Sequence, residues 1–267
     1  MALLLKKMYK GYFWLFEDIA DPRANEYFLL SSVFNIIPIA FFYVYFCKKL
    51  GPKLMENRKA FDLKYILIVF NLIQVLVNAY VVIEVIRYIP KMGFYCGDID
   101  YSNDPDAIHM LDIVYIFFIM KLSDLLDTVF FILRKKFNQV SFLHVYHHFG
   151  MCLGSWVAMK FFGGGATVII GAVNGFVHCV MYSYYLLTAY DSDYKKSVWW
   201  KKHITQIQLV QFLFFIIYYS SFLVTSSCNY PKFIPFLFVP QNFFMLCLFG
   251  EFYWRTYIKA KEPKQNK

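Results

Sequence analysis

Charged residues are scarce in this sequence. Only 17% of the 267 residues are Asp, Glu, Lys or Arg, whereas about a quarter are charged in an average soluble domain. Apolar residues make up 59% of the chain and aromatic residues 22%, and the mean hydropathy is positive at +0.45. This balance argues against an ordinary soluble domain and predicts a polytopic helical membrane protein.

We also expect neither a linker between domains nor a signal peptide. No long Gly-, Ser- or Pro-rich stretch divides the chain, so we expect a single transmembrane domain over residues 1–267. The initial apolar run MALLL is too short for a signal peptide and precedes the basic residues Lys6 and Lys7. We therefore expect the first transmembrane helix to direct insertion.

Seven apolar segments follow, each close to the roughly 20 residues that span the hydrocarbon core of a bilayer. They are residues 27–46, 65–86, 111–132, 140–161, 167–187, 207–224 and 233–253. Backbone groups in lipid must be hydrogen-bonded within their own segment, so each segment is expected to be a helix. The sequence thus predicts an all-α protein with seven transmembrane helices, the fourth ending at the glycines 163–165.

The chain has a net charge of +9. Its basic residues lie between the apolar segments, so they are read as loop charges of a membrane protein rather than as a nucleic-acid-binding patch. Eighteen of the 27 basic residues fall on the side that holds loops 47–64, 133–139 and 188–206 and the C-terminal tail, and eight fall on the other. The richer side is expected to be cytosolic. The N-terminus is therefore predicted to be lumenal and the C-terminus cytosolic.

Histidine is rare as well, and half of the six histidines lie within five positions of the fourth segment, at His144, His147 and His148. Residues three and four apart share a helix face, so the three imidazoles are expected to form one cluster. An ionisable residue inside a bilayer is costly and is a functional candidate. A lone histidine is usually structural, but three on one face favour catalysis.

The third segment carries Lys121, Asp124 and Asp127 at helical spacing. A buried Lys–Asp pair alone would be a self-neutralising structural pair. One lysine neutralises only one of the two carboxylates. The imidazoles of a neighbouring helix are the expected partners of the other.

The fifth and sixth segments add further polar residues. Asn174, His178 and Tyr182 form one stripe in the fifth, with Tyr185 beside it, and the sixth opens with glutamines at positions 208 and 211. Tyrosine stripes are usually core packing, and glutamine commonly links helices in membranes. Helical rise places Asp127, His147, His178 and Gln211 within about 6–14 Å of the cytosolic face, which predicts one pocket open to the cytosol.

Several chemistries suit such a pocket. A neutral imidazole can act as a general base or a nucleophile. Cys152 lies four residues after His148 and could form a Cys–His pair, although a free cysteine is usually a small buried hydrophobe. Lys201 and Lys202, next to two tryptophans, could bind a phosphorylated headgroup such as that of coenzyme A, or could be ordinary cytosolic charge.

Four ordered motifs, KLSDLLDT, FLHVYHH, NGFVHCVMYSYY and TQIQLVQ, resemble the signatures of the very-long-chain fatty acid elongase family. The flanking stretches DPR, LGPKLMENRKAF, DYSNDP and WWKKH fit the same pattern, and the resemblance covers about residues 20–255. Asp124 is one departure, because most members have Glu there and the shorter arm moves the carboxylate by about one methylene.

The resemblance implies condensation of an acyl-CoA with malonyl-CoA in the endoplasmic reticulum membrane. The products would be a 3-ketoacyl-CoA two carbons longer, CO2 and CoA. It also implies six helices around a narrow acyl tunnel, with the first helix peripheral. NADPH belongs to the later reductases of the cycle, and a homo-oligomer or an assembly with those other enzymes is compatible with the sequence.

Residue roles follow as expectations. His147 is the expected nucleophile or principal base, with His178 close to the same reacting carbon, and His144 and His148 orient their neighbours. Asp124 and Asp127 would fix imidazole tautomers. The side chains expected to bind substrate are Lys121, Asn174, Tyr182, Tyr185, Lys201, Lys202, Gln208 and Gln211. We expect no bound cofactor and no metal, because decarboxylation of malonyl-CoA supplies the carbanion.

Two other classes of protein remain open at this point. A di-iron desaturase or hydroxylase is suggested by HxxHH, but such sites use about eight histidines, and His109 and His203 are predicted to lie in loops. A seven-helix receptor or transporter would explain the span count but not the polar residues at one level.

Cys96 and Cys228 lie in loops that the charge distribution places on the lumenal side. Oxidising conditions there favour disulfides. We therefore predict a Cys96–Cys228 bridge.

Overall fold

The computed structural model describes residues 1–259, and no β-strand occurs within them. The α-helices in this range are α1 Ala2–Phe13, α2 Val33–Tyr45, α3 Gly51–Met55, α4 Lys64–Met92, α5 Pro105–Ser123, α6 Leu125–Leu133, α7 Phe142–Phe162, α8 Val168–Tyr190, α9 Val198–Val224 and α10 Phe233–Tyr253. A π-helical stretch, Phe46–Leu50, joins α2 to α3. The C-terminal KQNK, which loosely resembles a retrieval signal, lies outside the described residues.

Each of the seven predicted apolar segments contains a helix, but the boundaries differ. The first begins at Val33 rather than residue 27, because Ser32 caps it by accepting a hydrogen bond from the Phe34 N–H at 3.2 Å. The fourth ends at Phe162, directly before the three glycines. Gly165 has a φ of 51°, a conformation that favours glycine, so the glycines break the chain direction as predicted.

The third predicted segment is two helices instead of one. It breaks at Asp124, between α5 and α6. The Ser123 hydroxyl donates to the Met120 carbonyl at 2.7 Å, and the Asp127 N–H donates to the Asp124 carbonyl at 3.1 Å, three residues back. A serine that bonds its own helix backbone often bends the helix, and this bond lies directly before the break.

Five stretches within residues 1–259 are helical, long and apolar enough to cross a membrane, as expected for a multi-pass membrane protein. They are Val33–Met55, Lys64–Met92, Gly165–Tyr190, Val198–Val224 and Phe233–Ile258. The two predicted segments outside this set, 111–132 and 140–161, carry all of the Asp, His and Lys candidate site residues except His178, Lys201 and Lys202. The count of seven spans, and the acyl tunnel, stay predictions.

The helices group into two compact units. The first consists of Met1–Phe61 and Ile99–Val168, and the second consists of Asp62–Asp98 and Ile169–Lys267. The predicted single domain over 1–267 stays an expectation, and each unit is described by itself.

In the first unit, α7 packs against α2 and α5, and α3 and α7 both pack against α6. The turn before α2 is joined to α7 by the indole of Trp156, which donates to the Leu29 carbonyl at 2.9 Å. Nearby, Asp21 pairs with Arg23 at 2.6 Å, and this carboxylate raises the pKa of the guanidinium. The Asp21 N–H also donates to the Lys160 carbonyl at 3.0 Å, so this segment contacts the end of α7 that lies away from its histidines.

In the second unit, α9 packs along α10. α4 meets α8 at Gly175, where an added Cβ would lie 3.3 Å from the Asn78 carbonyl oxygen. The predicted disulfide is present between Cys96 and Cys228, with their Cα atoms 5.7 Å apart. It ties the segment after α4 to the segment after α9.

Candidate active site

The first unit holds the three imidazoles of α7. Ser141 caps this helix by accepting the His144 N–H at 3.2 Å, so the cluster begins in its first turn. The ring centroids of His144 and His148 are 4.2 Å apart, and those of His147 and His148 are 5.5 Å apart. The spacing therefore does produce one cluster of imidazoles.

A hydroxyl connects this cluster to two other helices. The Thr128 Oγ1 on α6 lies 2.9 Å from the His144 Nε2 and 2.7 Å from the Tyr43 hydroxyl on α2. Thr128 is completely buried. Because a hydroxyl has one proton, Thr128 can donate to only one of these two partners at a time. If Tyr43 donates to Thr128, then Thr128 donates to Nε2, and the His144 proton sits on Nδ1.

The predicted Lys–Asp pair forms in the same unit. The Lys121 Nζ lies 2.7 Å from the Asp124 Oδ2, with both side chains buried, and the ammonium also lies 5.2 Å from the centroid of the Phe117 ring. The shorter arm of Asp124 thus still reaches the lysine. Asp127, the second carboxylate of the predicted third segment, is also buried, with 9% of its surface exposed.

The second unit holds the polar stripe of α8. Asn174, His178 and Tyr182 are buried, and the rings of His178 and Tyr182 are 5.6 Å apart. Tyr185 lies at the edge of this stripe, with 36% of its surface exposed and its ring 5.9 Å from that of Tyr182.

α9 brings its glutamines to the same stripe. The Asn174 Nδ2 donates to the Gln211 Oε1 at 3.4 Å, and the Gln208 Nε2 lies 3.9 Å from the Met181 sulfur. The amides that the sequence placed on two separate segments are therefore in contact.

Some polar residues of the two units were not anticipated from the sequence. Asn71, Gln74 and Asn78 on α4 are all buried, with at most 4% exposure. Their spacing of three and four residues in an apolar segment is the same signal that identified His178. Tyr43 had no comparable signal, since it is one of 22 tyrosines.

The basic and aromatic segment at the start of α9 has its own contacts. The Lys201 Nζ donates to the Lys195 carbonyl at 2.7 Å, and Lys202 is partly buried. The ring of His203 lies 4.2 Å from that of Trp199. Binding of a CoA headgroup here stays a prediction.

The prediction that His109 and His203 lie in loops is wrong, because they are in α5 and α9. The apolar segments predicted at 111–132 and 207–224 marked the helix boundaries too narrowly, because α5 begins at Pro105 and α9 at Val198. Even so, no group of three or more His, Cys, Asp or Glu side chains that could hold a metal ion occurs within residues 1–259.

The predicted site residues are divided between the two units. The first unit holds Lys121, Asp124, Asp127, His144, His147 and His148, and the second unit holds Asn174, His178, Tyr182, Tyr185, Lys201, Lys202, Gln208 and Gln211. That they form one pocket, and the role of each residue, stay predictions.

The histidine cluster, the buried Lys–Asp pair and the amide-bearing stripe come from the four ordered motifs of the sequence. Residues 28–265 match the family described as ELO, or GNS1/SUR4. The chain belongs to this family. The match includes all four of the ordered motifs.

Curated relatives agree with this assignment. The chain is 39% identical over 267 residues to a very long chain fatty acid elongase of Aedes aegypti, covering 99% of this chain and 74% of the relative. It is 40% identical over 250 residues to very long chain fatty acid elongase 7 of Rattus norvegicus, covering 92% and 89%. Very long chain fatty acid elongase 1 of Homo sapiens is 39% identical over 246 residues, covering 91% and 88%.

Proposed function

We propose that this protein is a fatty acid elongase that condenses a long-chain acyl-CoA with malonyl-CoA in the endoplasmic reticulum membrane. The product is a 3-ketoacyl-CoA two carbons longer, with release of CO2 and CoA. The proposed activity is that of a 3-oxoacyl-CoA synthase, which is an acyltransferase. The N-terminus is lumenal and the C-terminus cytosolic in this proposal, as the charge distribution predicts.

Family membership carries the proposal, because the relatives that match nearly the whole chain are named as very long chain fatty acid elongases. The polar side chains support it independently. A cluster of imidazoles beside a buried carboxylate and ammonium, inside apolar helices, can perform acid–base and nucleophilic chemistry away from water.

The first half-reaction loads the acyl group. An unprotonated imidazole nitrogen of His147 attacks the thioester carbonyl and the carbon–sulfur bond breaks. The N–H proton that the acylated imidazole loses passes to the departing thiolate, so CoA leaves as a thiol. The acyl group is then held as an acyl-imidazole. This step frees the first CoA before malonyl-CoA binds.

The second half-reaction forms the carbon–carbon bond. Malonyl-CoA loses CO2, and the electron pair of the broken bond forms an enolate. The enolate carbon attacks the acyl-imidazole carbonyl and the carbon–nitrogen bond breaks, which gives the 3-ketoacyl-CoA. The departing imidazole takes up one proton from solvent and returns to its neutral form. His178 serves as a proton donor and acceptor, and the amides of Asn174, Gln208 and Gln211 hold the developing oxyanion.

Incubation of the purified protein with labelled malonyl-CoA and a series of acyl-CoA esters tests the function and measures the preferred chain length. We expect labelled 3-ketoacyl-CoA from the wild type and a loss of at least about 100-fold for His147→Ala. His109→Ala is the matched control, since it removes an imidazole from α5 outside the proposed site and should leave turnover near wild type.

Near-normal condensation by His147→Ala would refute its assigned role. Incubation with acyl-CoA alone tests the order of steps, and absence of released CoA would replace the acyl-imidazole with direct attack in a ternary complex. Turnover should survive chelators, while stoichiometric iron with chelator-sensitive activity would revive a di-iron oxygenase. Ligand transport or signalling without condensation would instead favour a receptor or transporter.

A further inference from the structure

The three amides of α4 form a second polar stripe in the second unit. Asn71, Gln74 and Asn78 are 4%, 1% and 1% exposed, on a helix that is otherwise apolar and long enough to cross a membrane. Burying three amides on one helix face is costly unless they make specific hydrogen bonds. We therefore expect the amides of this α4 amide stripe to make specific hydrogen bonds inside the unit.

Three contacts set the register of α4 against α8. The Asn78 carbonyl oxygen lies 3.3 Å from the Cβ position of Gly175. Toward the other end, the Cys179 thiol donates to the Val75 carbonyl at 3.5 Å, and the rings of Phe70 and Tyr182 are 6.0 Å apart.

This register is antiparallel, because position numbers fall along α4 as they rise along α8. Gln74 is next to Val75, and His178 is next to Cys179. The middle residue of the α4 amide stripe is therefore level with the imidazole-bearing residue of α8.

Hydrogen bonds also fix which way the two amides point. The Asn78 Nδ2 donates to the Gln74 main-chain carbonyl at 2.8 Å, and a main-chain oxygen can only accept, so the orientation of the Asn78 amide is determined. The same Nδ2 donates to the Gln74 side-chain Oε1 at 3.2 Å. That contact leaves the donor end of Gln74, its Nε2, available to another acceptor, and the side chain as a whole is buried.

We propose that Gln74 is a positioning residue for His178. Its Nε2 donates a hydrogen bond to one nitrogen of the imidazole, so that the imidazole proton is held on the other nitrogen. Asn78 acts through Gln74, because it fixes the orientation of that amide. The proposal rests on the function proposed above, in which His178 transfers protons.

The alternative is that these amides only join helices, which is a common use of Asn and Gln in membranes. The two possibilities differ in what they predict for the imidazole. Interhelical joining affects stability alone, whereas positioning affects the tautomer of His178 and the rate constant of the chemical step.

The test uses the purified full-length protein with ¹⁵N-labelled histidine. We expect the His178 imidazole of the wild type to show one tautomer by its ¹⁵N chemical shifts, and Gln74→Met, which keeps the volume but removes the donor, to show a mixture. We expect kcat for condensation to fall about tenfold in this variant, the fold-change that corresponds to one lost hydrogen bond. KM for both CoA esters should stay within about twofold.

Asn78→Leu should shift the tautomer and kcat in the same direction, and it also provides the readout if Gln74→Met does not fold. The double variant should be no slower than Gln74→Met alone, because Asn78 acts through Gln74. Asn242→Leu is the matched control. Asn242 on α10 is buried and donates its Nδ2 to the Phe238 carbonyl at 2.8 Å, so its loss costs stability without a change in kcat or in the His178 shifts.

An unchanged His178 tautomer in Gln74→Met would overturn the proposal, as would an unchanged kcat per folded protein. The tautomer measurement needs no substrate. A wild type that holds one tautomer through Gln74 but condenses no acyl-CoA would thus refute the proposed function while leaving the positioning of His178 supported.

Discussion

Thr128 is the residue through which two other helices reach the histidine cluster. Its hydroxyl is shared between the Tyr43 hydroxyl and the His144 Nε2. Such a chain has two possible directions of donation, and either direction fixes the imidazole tautomer. The side chain at position 128 therefore controls the state of His144 without being ionisable itself.

Thr128→Val keeps the shape of this side chain but removes the hydroxyl. It leaves a buried phenol and an imidazole nitrogen without that partner, which costs about 1–3 kcal/mol of unfolding free energy. We expect condensation to slow by about tenfold, with Thr128→Ser close to wild type. Turnover and detergent-based unfolding measure the two effects, and a Thr128→Val protein equal to wild type in both would contradict this role.

Lys121 and Asp124 show what a buried ion pair requires. Their side chains are almost completely buried, at 0% and 5% exposure, so the cost of removing both charges from water is large. The contact at 2.7 Å offsets part of that cost. Removing one partner alone would leave an uncompensated buried charge, so we expect either single substitution to be strongly destabilising. That both residues take part in the candidate site stays a prediction.

At the scale of elements, the approach of α4 to α8 depends on Gly175. A Cβ at this position would lie 3.1 Å from the Val82 Cγ2 and 3.3 Å from the Asn78 carbonyl oxygen. One neighbour is main chain and cannot rotate away. Small residues are typical where membrane helices pack closely, so this glycine sets the distance between the two polar stripes.

Gly175→Ala should force α4 away from α8 and lower the unfolding free energy by about 1–3 kcal/mol. Gly250→Ala is the control, because nothing lies within 4 Å of an added Cβ there, and alanine stabilises a helix by up to about 1 kcal/mol relative to glycine. Unfolding in a mixed-detergent titration compares the two. Equal or greater stability of Gly175→Ala would show that the helices adjust without cost.

The break between α5 and α6 is a second feature of this scale. Hydropathy predicts one continuous segment over 111–132, because apolar runs lie before Lys121 and after Thr128. The hydrogen bond from Ser123 to the Met120 carbonyl is a local feature that the spacing of apolar residues does not predict. The break sets the direction in which α6 carries Asp127 and Thr128.

At the scale of the whole molecule, the Cys96–Cys228 disulfide closes a loop of 132 residues. The chain-entropy model allows about 5 kcal/mol for a loop of this length. Membrane-spanning helices already restrain the unfolded chain, so we expect Cys96→Ser to lower the unfolding free energy by about 2 kcal/mol or less. Condensation should persist below the new unfolding temperature.

Thermal unfolding under non-reducing conditions measures this effect, with Cys247→Ser as the control because Cys247 is a free and exposed thiol. Reductant should lower the unfolding temperature of the wild type to that of Cys96→Ser. Mass mapping without prior reduction checks the bridge directly, and alkylation of both cysteines would refute it. The lumenal placement of these two loops stays a prediction.

The sequence by itself predicted the apolar segments that contain helices, most of the polar residues they carry, and the Cys96–Cys228 pair. It did not predict the break at Asp124 or the helices around His109 and His203. The helices and their polar residues follow from the spacing of residues along the chain. The cysteine pair follows from the prediction that both loops lie on the same side of the membrane. The tertiary structure decided the link from Tyr43 through Thr128 to His144, and the level of Gln74 against His178. Such contacts depend on the rotation and register of helices that are distant in the chain, and close packing between side chains sets both.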